Sequence, residues 1–246
     1  GEVRLGDGND IANLSGANVL NGITVLDGGD DAGTGDGMID VLTLNGVTGT
    51  ANGTIINWET LSLINSNLTI SDLVTDTLNV CGGSTTVGGA SVIGAGGVLG
   101  CVSNDSLTLT GTTTVAGPVQ GAGGSDTISV LGSASVAGGV YGGSAGQDAS
   151  ASYDAGDAIV INTSGTVGLV NGQLGNDGIY ILNGTITGDA SGGDGNDFLS
   201  MSGGSIVGAM DGGDGNDALI ITGGSAGSVS GGAGNDFFDM SGGSTG

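Results

Sequence analysis

The sequence predicts a parallel β-helix, a stack of short coils of about 20 residues, on three observations. Glycine makes up 58 of the 246 residues. An acidic residue followed by an alternating apolar strand recurs along nearly the whole chain. Proline occurs once, as Pro118, and aromatic residues are only 3% of the total.

The glycines are not collagenous, because they follow no G-X-Y triplet. At 37% hydrophobic residues, rich in Val, Ile and Leu, the chain is also too apolar to be disordered. An all-β repeat protein tolerates this composition, since each coil needs tight corners at φ > 0. The scarcity of proline fits the same class, because most backbone N–H groups must enter a ladder. Few aromatics are expected where the inward space of a coil is narrow.

The repeat is clearest near the C-terminal end, in GNDGIYILNG, GGDGNDFLSMSGG, GGDGNDALIITGG and GGAGNDFFDMSGG. Its acidic anchor falls at Asp40, Glu59, Asp76, Asp105, Asp126, Asp157, Asp177, Asp197, Asp217 and Asp236. The steps between anchors are 19, 17, 29, 21, 31, 20, 20, 20 and 19. Two and four positions after every anchor stands an apolar residue, from Leu42 and Leu44 to Phe238 and Met240. Period-2 alternation puts such a pair on one face of a strand. A second strand, bounded by glycine, follows at Val115, Val136, Val167, Ile186 and Ile206. Each coil thus reads as two strands and two turns, and stacking at about 4.8 Å buries the inward faces. The whole chain, 1–246, reads as one such segment. The long intervals 76–105 and 126–157 read as insertions, and 26–40 as an acidic, glycine-rich irregular stretch. Loops are therefore expected near 26–40, 81–101 and 141–156.

The charge excludes several functions. With 25 acidic residues, one basic residue (Arg4) and no His, the net charge is −24. Nucleic acid and anionic membrane surfaces both demand basic patches. No apolar run approaches the ~18 residues of a membrane span. The first residues read as the cut edge of a larger protein, from which a signal peptide would already be gone. Cys81 and Cys101, 20 residues apart or one coil, are expected to form a disulfide in an oxidising location. The plainer reading is two small buried apolar residues.

The GGxGND turn, apolar strand and SGGxxxG sequence resemble the passenger domains of Gram-negative autotransporters. INWETLSLINSNLTI (56–70) is similar to that family's aromatic–Glu and L-x-L pattern. The resemblance covers about 36–246. It implies a right-handed parallel β-helix, secreted or displayed at the bacterial cell surface and carried across the outer membrane by a C-terminal translocator barrel. That barrel is expected beyond Gly246, where the chain stops mid-repeat. Adhesion, aggregation, toxicity and proteolysis all occur in the family, so the likeness bears on architecture more than on activity. GGDGNDFLS (192–200) and GGDGNDALI (212–220) also match the calcium-binding nonapeptide of RTX proteins. Here it comes once per 20 residues rather than in tandem.

The stacked acidic turns are the one constellation with metal chemistry. Asp177, Asp197, Asp217 and Asp236 should lie above one another, with Asp194 and Asp214 beside them. Unit charges about 4.8 Å apart repel by about 1 kcal/mol in water and by more at lower dielectric. Calcium, a hard cation that takes carboxylate and carbonyl oxygens, would offset this. Hydrogen bonds from turn N–H groups would do so too, with Asn176, Asn196, Asn216 and Asn235 stacked as an amide ladder. No catalytic residue is assigned. Without His or Lys there is no Ser-His-Asp triad and no lyase base, although paired carboxylates could hydrolyse a glycoside. Trp58 and Tyr180 are the candidates for exposed aromatics, with packing at a coil edge as the plainer reading of both. The expected function is a binding module, an adhesin or receptor ligand, for a host-cell or bacterial surface protein or glycan. The alternatives are a carbohydrate-active enzyme and a calcium-stabilised structural domain.

Overall fold

A computed structural model describes residues 1–29, 39–53, 55–143 and 155–246. Among them there is no helix, and every strand pairing is parallel. The strands stack as a β-solenoid of about 11 turns with a spacing of roughly 20 residues.

Most coils have three strand faces rather than the two expected. The first face stacks Leu42, Leu61, Leu78, Val98, Val119, Val140, Val170, Ala190, Met210 and Val229 in register. The second stacks Leu68, Thr85, Leu107, Ile128, Ile159, Ile179, Leu199, Leu219 and Phe238. The third stacks Ile93, Val115, Val136, Val167, Ile186, Ile206 and Ala226. The three columns meet in one hydrophobic core. Of the twenty apolar positions that follow the acidic anchors, all are buried except Phe238 and Met240, which lie in the last coil.

The third face explains the 29-residue step. Asp40, Glu59 and Asp76 precede strands of the first face, whereas Asp105 and every later anchor precede strands of the second. The step from 76 to 105 is one ordinary coil, Leu78 to Val98, plus the nine residues from Val98 to Leu107 on the next face. The expected loop at 81–101 is therefore corrected. Val74–Gly88 and Val92–Cys101 are strands, joined by a short turn. The insertions fall instead in the first-face steps Ala12 to Leu42 and Val140 to Val170, each of 30 residues. Within the loops expected at 26–40 and 141–156, residues 30–38 and 144–154 lie outside the described residues.

Corners between faces need left-handed backbone, and the sequence meets this in two ways. Gly46, Asn65 and Gly82 occupy one stacked corner at φ 64°, 47° and 72°. Gly53, Asp72, Gly89, Gly111 and Gly132 occupy another at φ 58° to 69°. Asn and Asp substitute for Gly there because a short polar side chain can hydrogen-bond locally and so tolerates this region. The Asp72 Oδ1, for example, accepts the Ala90 N–H at 2.9 Å.

Candidate functional site

The corner between the first and second faces carries the acidic anchors of the C-terminal half. Asp197, Leu199 and Met201 share one side of the strand, so the carboxylate points inward with the core residues. Asp105, Asp126, Asp157, Asp177, Asp197 and Asp217 are all buried. Their hydrogen bonds form a ladder. The N–H of each Asp donates to Oδ1 of the Asp one coil later, at 2.7 to 2.8 Å from Asp105 to Asp217 and at 3.1 Å from Asp217 to Asp236. Asp105 closes the ladder by accepting the N–H groups of Gly82 and Cys101.

The other carboxylate oxygen needs a glycine. A Cβ placed on Gly192 would stand 2.2 Å from Asp197 Oδ2 and 2.4 Å from the Gly212 carbonyl oxygen. Gly121, Gly142, Gly172 and Gly212 repeat this arrangement, and Gly231 meets the Asp236 carboxylate alone. The space beside their Cα atoms is where the carboxylates sit. A second glycine in the GGDGND turn is needed for the backbone itself. Gly215 has φ 146°, and a Cβ there would lie 1.5 Å from the Gly195 carbonyl oxygen.

One residue before Asp177, Asp197 and Asp217, an Asn side chain faces solvent. Asn196 donates its N–H and Nδ2–H to Asn176 Oδ1, at 2.7 and 3.2 Å. Asn216 does the same to Asn196, and Asn235 to Asn216. The amide ladder therefore exists, and its bonds run in the opposite direction to those of the carboxylate ladder.

The six carboxylates weighed for calcium do not converge. Asp177, Asp197 and Asp217 lie inside the corner and accept backbone N–H bonds. Asp194 and Asp214 are exposed on the outside, in register with each other, and Asp236 is exposed in the last coil. Among the described residues, no group of three or more His, Cys, Asp or Glu is placed to hold a metal ion. The donors do not form a calcium cage, which needs six to eight oxygens around one point.

Burial pushes the Asp197 carboxyl up to about 6. The Asp177 N–H bond works against this, and the charges of Asp217 and Asp194 add to it. Asp217 is raised by burial and, more weakly, by Asp236, Asp211 and Asp214, against the Asp197 N–H bond. Asp105 is also raised by burial, against the N–H bonds from Cys101 and Gly82.

Cys81 and Cys101 form a disulfide between neighbouring coils, with Cα atoms 5.2 Å apart. It lies beside the point where the carboxylate ladder begins. Trp58, a candidate for surface exposure, is only 1% exposed and donates its Nε1–H to the Leu26 carbonyl. Tyr180 is 38% exposed and packs against Phe198 on the outer side of the second face, with ring centroids 5.8 Å apart.

The sequence reading missed an open groove of about 290 Å³ on the outside of the first face. It is lined by Leu169, Asn171, Asp189, Ser191, Ala209 and Asp211. Asp211 Oδ1 is buried there without a hydrogen-bond partner. The signal was available only through the register, which sets Asn171, Ser191 and Asp211 side by side across three coils.

No family model, no curated protein and no solved structure matches this chain. The fold alone defines the class, a parallel β-solenoid with a disulfide between two neighbouring coils.

Proposed function

We propose that this chain is a secreted or surface-displayed β-solenoid rod, of the autotransporter-passenger kind, that acts by binding a cationic partner surface rather than by turnover. One observation carries the reading. The chain has a single basic residue, Arg4, and it is already engaged by Glu2 and Asp27 at the N-terminal end. The exposed carboxylates along the rod, Asp189, Asp194 and Asp214 among them, have no cationic side chain to pair with. A cationic partner surface would complement them. Such complementarity governs on-rate and specificity and weakens as salt rises. The disulfide supports an oxidising location outside the cytoplasm. The stretches 26–40 and 141–156, read from the sequence as loops, are the proposed contact regions, because recognition concentrates where loops leave a regular scaffold.

Binding of the labelled chain to animal cells and to bacteria, measured over a salt series with polylysine as competitor, tests this. Saturable binding that falls with salt, and that is lost when both stretches are shortened without loss of fold, is the expected result. Cleavage of a polysaccharide or peptide by the purified chain at a useful rate would favour the enzyme reading instead. Undiminished binding by the trimmed rod would move recognition to the coil faces.

A further inference from the structure

We propose that the buried carboxylates Asp197 and Asp217 of the Asp column are a proton-binding device, which takes up protons in mild acid and holds the C-terminal coils of the solenoid most firmly when it has done so. The geometry carries this. Oδ1 of each Asp from Asp126 onward accepts a backbone N–H from the coil before. Oδ2 of Asp197 and of Asp217 is buried and has no hydrogen-bond partner. Beside Gly192, Asp197 Oδ2 and the Gly212 carbonyl oxygen crowd one point, and beside Gly212, Asp217 Oδ2 and the Gly231 carbonyl oxygen do the same. Both members of each pair are acceptors. A proton on Oδ2 turns one acceptor into a donor and removes a buried charge.

Among the described residues, no cationic group faces Asp197 or Asp217. The groups that face Asp197 are the Asp177 backbone, Asp217 and Asp194, and those that face Asp217 are the Asp197 backbone, Asp236, Asp211 and Asp214. The packed strands Ala190–Asp194, Ser205–Asp214 and Ser225–Ala233 bring only acids as titratable groups, Asp194, Asp211 and Asp214. Of the strands on the second face, Gly178–Ile186 adds the outward Tyr180 and Phe237–Met240 adds Asp239, while Phe198–Met201 and Ala218–Ile221 add none.

The sign follows from burial. Asp197 is protonated up to about pH 6 in the folded chain and to its ordinary 3.8 when unfolded. Its contribution to stability is therefore complete below 3.8 and is lost as pH rises through 6. The two carboxylates stabilise in acid, the reverse of a salt-bridged Asp.

Carbon-13 NMR of the Asp carboxyl carbons and thermal melts across the same pH range test the proposal. In the natural chain at least one carboxyl titrates near pH 6, and the melting temperature falls between pH 4 and 7. Asp197→Asn keeps the Oδ1 acceptor and supplies a permanent donor on the other atom. It removes that titration, flattens the pH dependence and melts about 3 °C or more above the natural chain at pH 7. Asp239→Asn, on the outer side, removes one charge and leaves the titration near pH 6 in place. If every carboxyl of the natural chain titrates within about one unit of 3.9, the proposal is wrong, whether or not the variant folds. It is equally wrong if Asp197→Asn lowers the melting temperature by the same amount at every pH.

Discussion

The N-terminal and C-terminal halves of the solenoid fill the same corner with opposite chemistry. On the first face, the inward position after Leu42, Leu61 and Leu78 holds Leu44, Leu63 and Val80, all buried. From the next coil onward that position is Gly100, Gly121, Gly142, Gly172, Gly192, Gly212 and Gly231. The space an aliphatic side chain fills in the first half is filled from Gly121 onward by the carboxylate of the following turn. The aliphatic corner is stabilised by burial of apolar area and needs no partner. The carboxylate corner exchanges that for a chain of hydrogen bonds between coils, which fixes register but buries charge. The changeover lies between Val80 and Gly100. A small void of about 10 Å³ sits there, lined by both residues together with Asp105, Leu107 and Asp126. The disulfide joins the next pair of positions, Cys81 and Cys101. A covalent link lies where neither packing scheme is complete.

The comparison breaks most sharply if one half is given the other's residue. Gly192→Val drives a branched side chain into the Asp197 carboxylate and the Gly212 carbonyl. Overpacking costs about 1–3 kcal/mol and displacing a buried charge adds to it, so about 3 kcal/mol or more is expected in urea unfolding. Leu63→Ala, its counterpart, leaves a cavity and costs about 2–5 kcal/mol. The two losses share a position and differ in cause. Adding Asp197→Ala to Gly192→Val should recover at least about 1 kcal/mol relative to the sum of the single changes. Simple additivity would show that the side chains do not compete for one space.

Removing the disulfide comes next. Cys81→Ser with Cys101→Ser opens a 20-residue loop, for which chain entropy gives about 3 kcal/mol. Hydrogen exchange should show the loss concentrated in Val74–Gly88 and Val92–Cys101. Uniform loss along the rod would mean that the changeover is no weaker than the rest.

How much of this the sequence disclosed depends on the type of signal. The inward aliphatic positions were legible because alternation is local. The slip between faces was not, because Asp76-Thr77-Leu78 and Asp105-Ser106-Leu107 look alike while belonging to different faces. Only the pairing of Leu107 with Thr85, rather than with Leu78, separates them. The Asp column was legible as a stack but not as buried. Acid after glycine suggests an exposed turn, yet Asp197 stands two residues before Leu199, and that parity already placed it inside. Corners account for glycine in general, but the role of Gly192 is to leave room for a side chain five positions later.

The smallest expected effect concerns a position where the C-terminal half departs from its own rule. In the second turn position, Gly193, Gly213 and Gly232 have φ 112°, 110° and 93°, and the equivalent residue one coil earlier is Gln173, at φ 81°. A left-handed residue other than glycine costs about 1–2 kcal/mol. The Gln173 Oε1 is also buried without a hydrogen-bond partner, and the bond its N–H makes to Asn171 Oδ1 does not depend on its side chain. Gln173→Gly should therefore relieve backbone strain and remove an unsatisfied acceptor. Against this stands the greater entropy of glycine in the unfolded chain, about 0.5–1 kcal/mol. The net expectation is a gain of about 0.5 kcal/mol, read as a small upward shift of the urea midpoint with an unchanged slope. A loss of stability would mean that the Gln173 side chain contributes packing that outweighs both costs, and that the glycine at 193, 213 and 232 answers to the close approach of neighbouring coils rather than to its own φ.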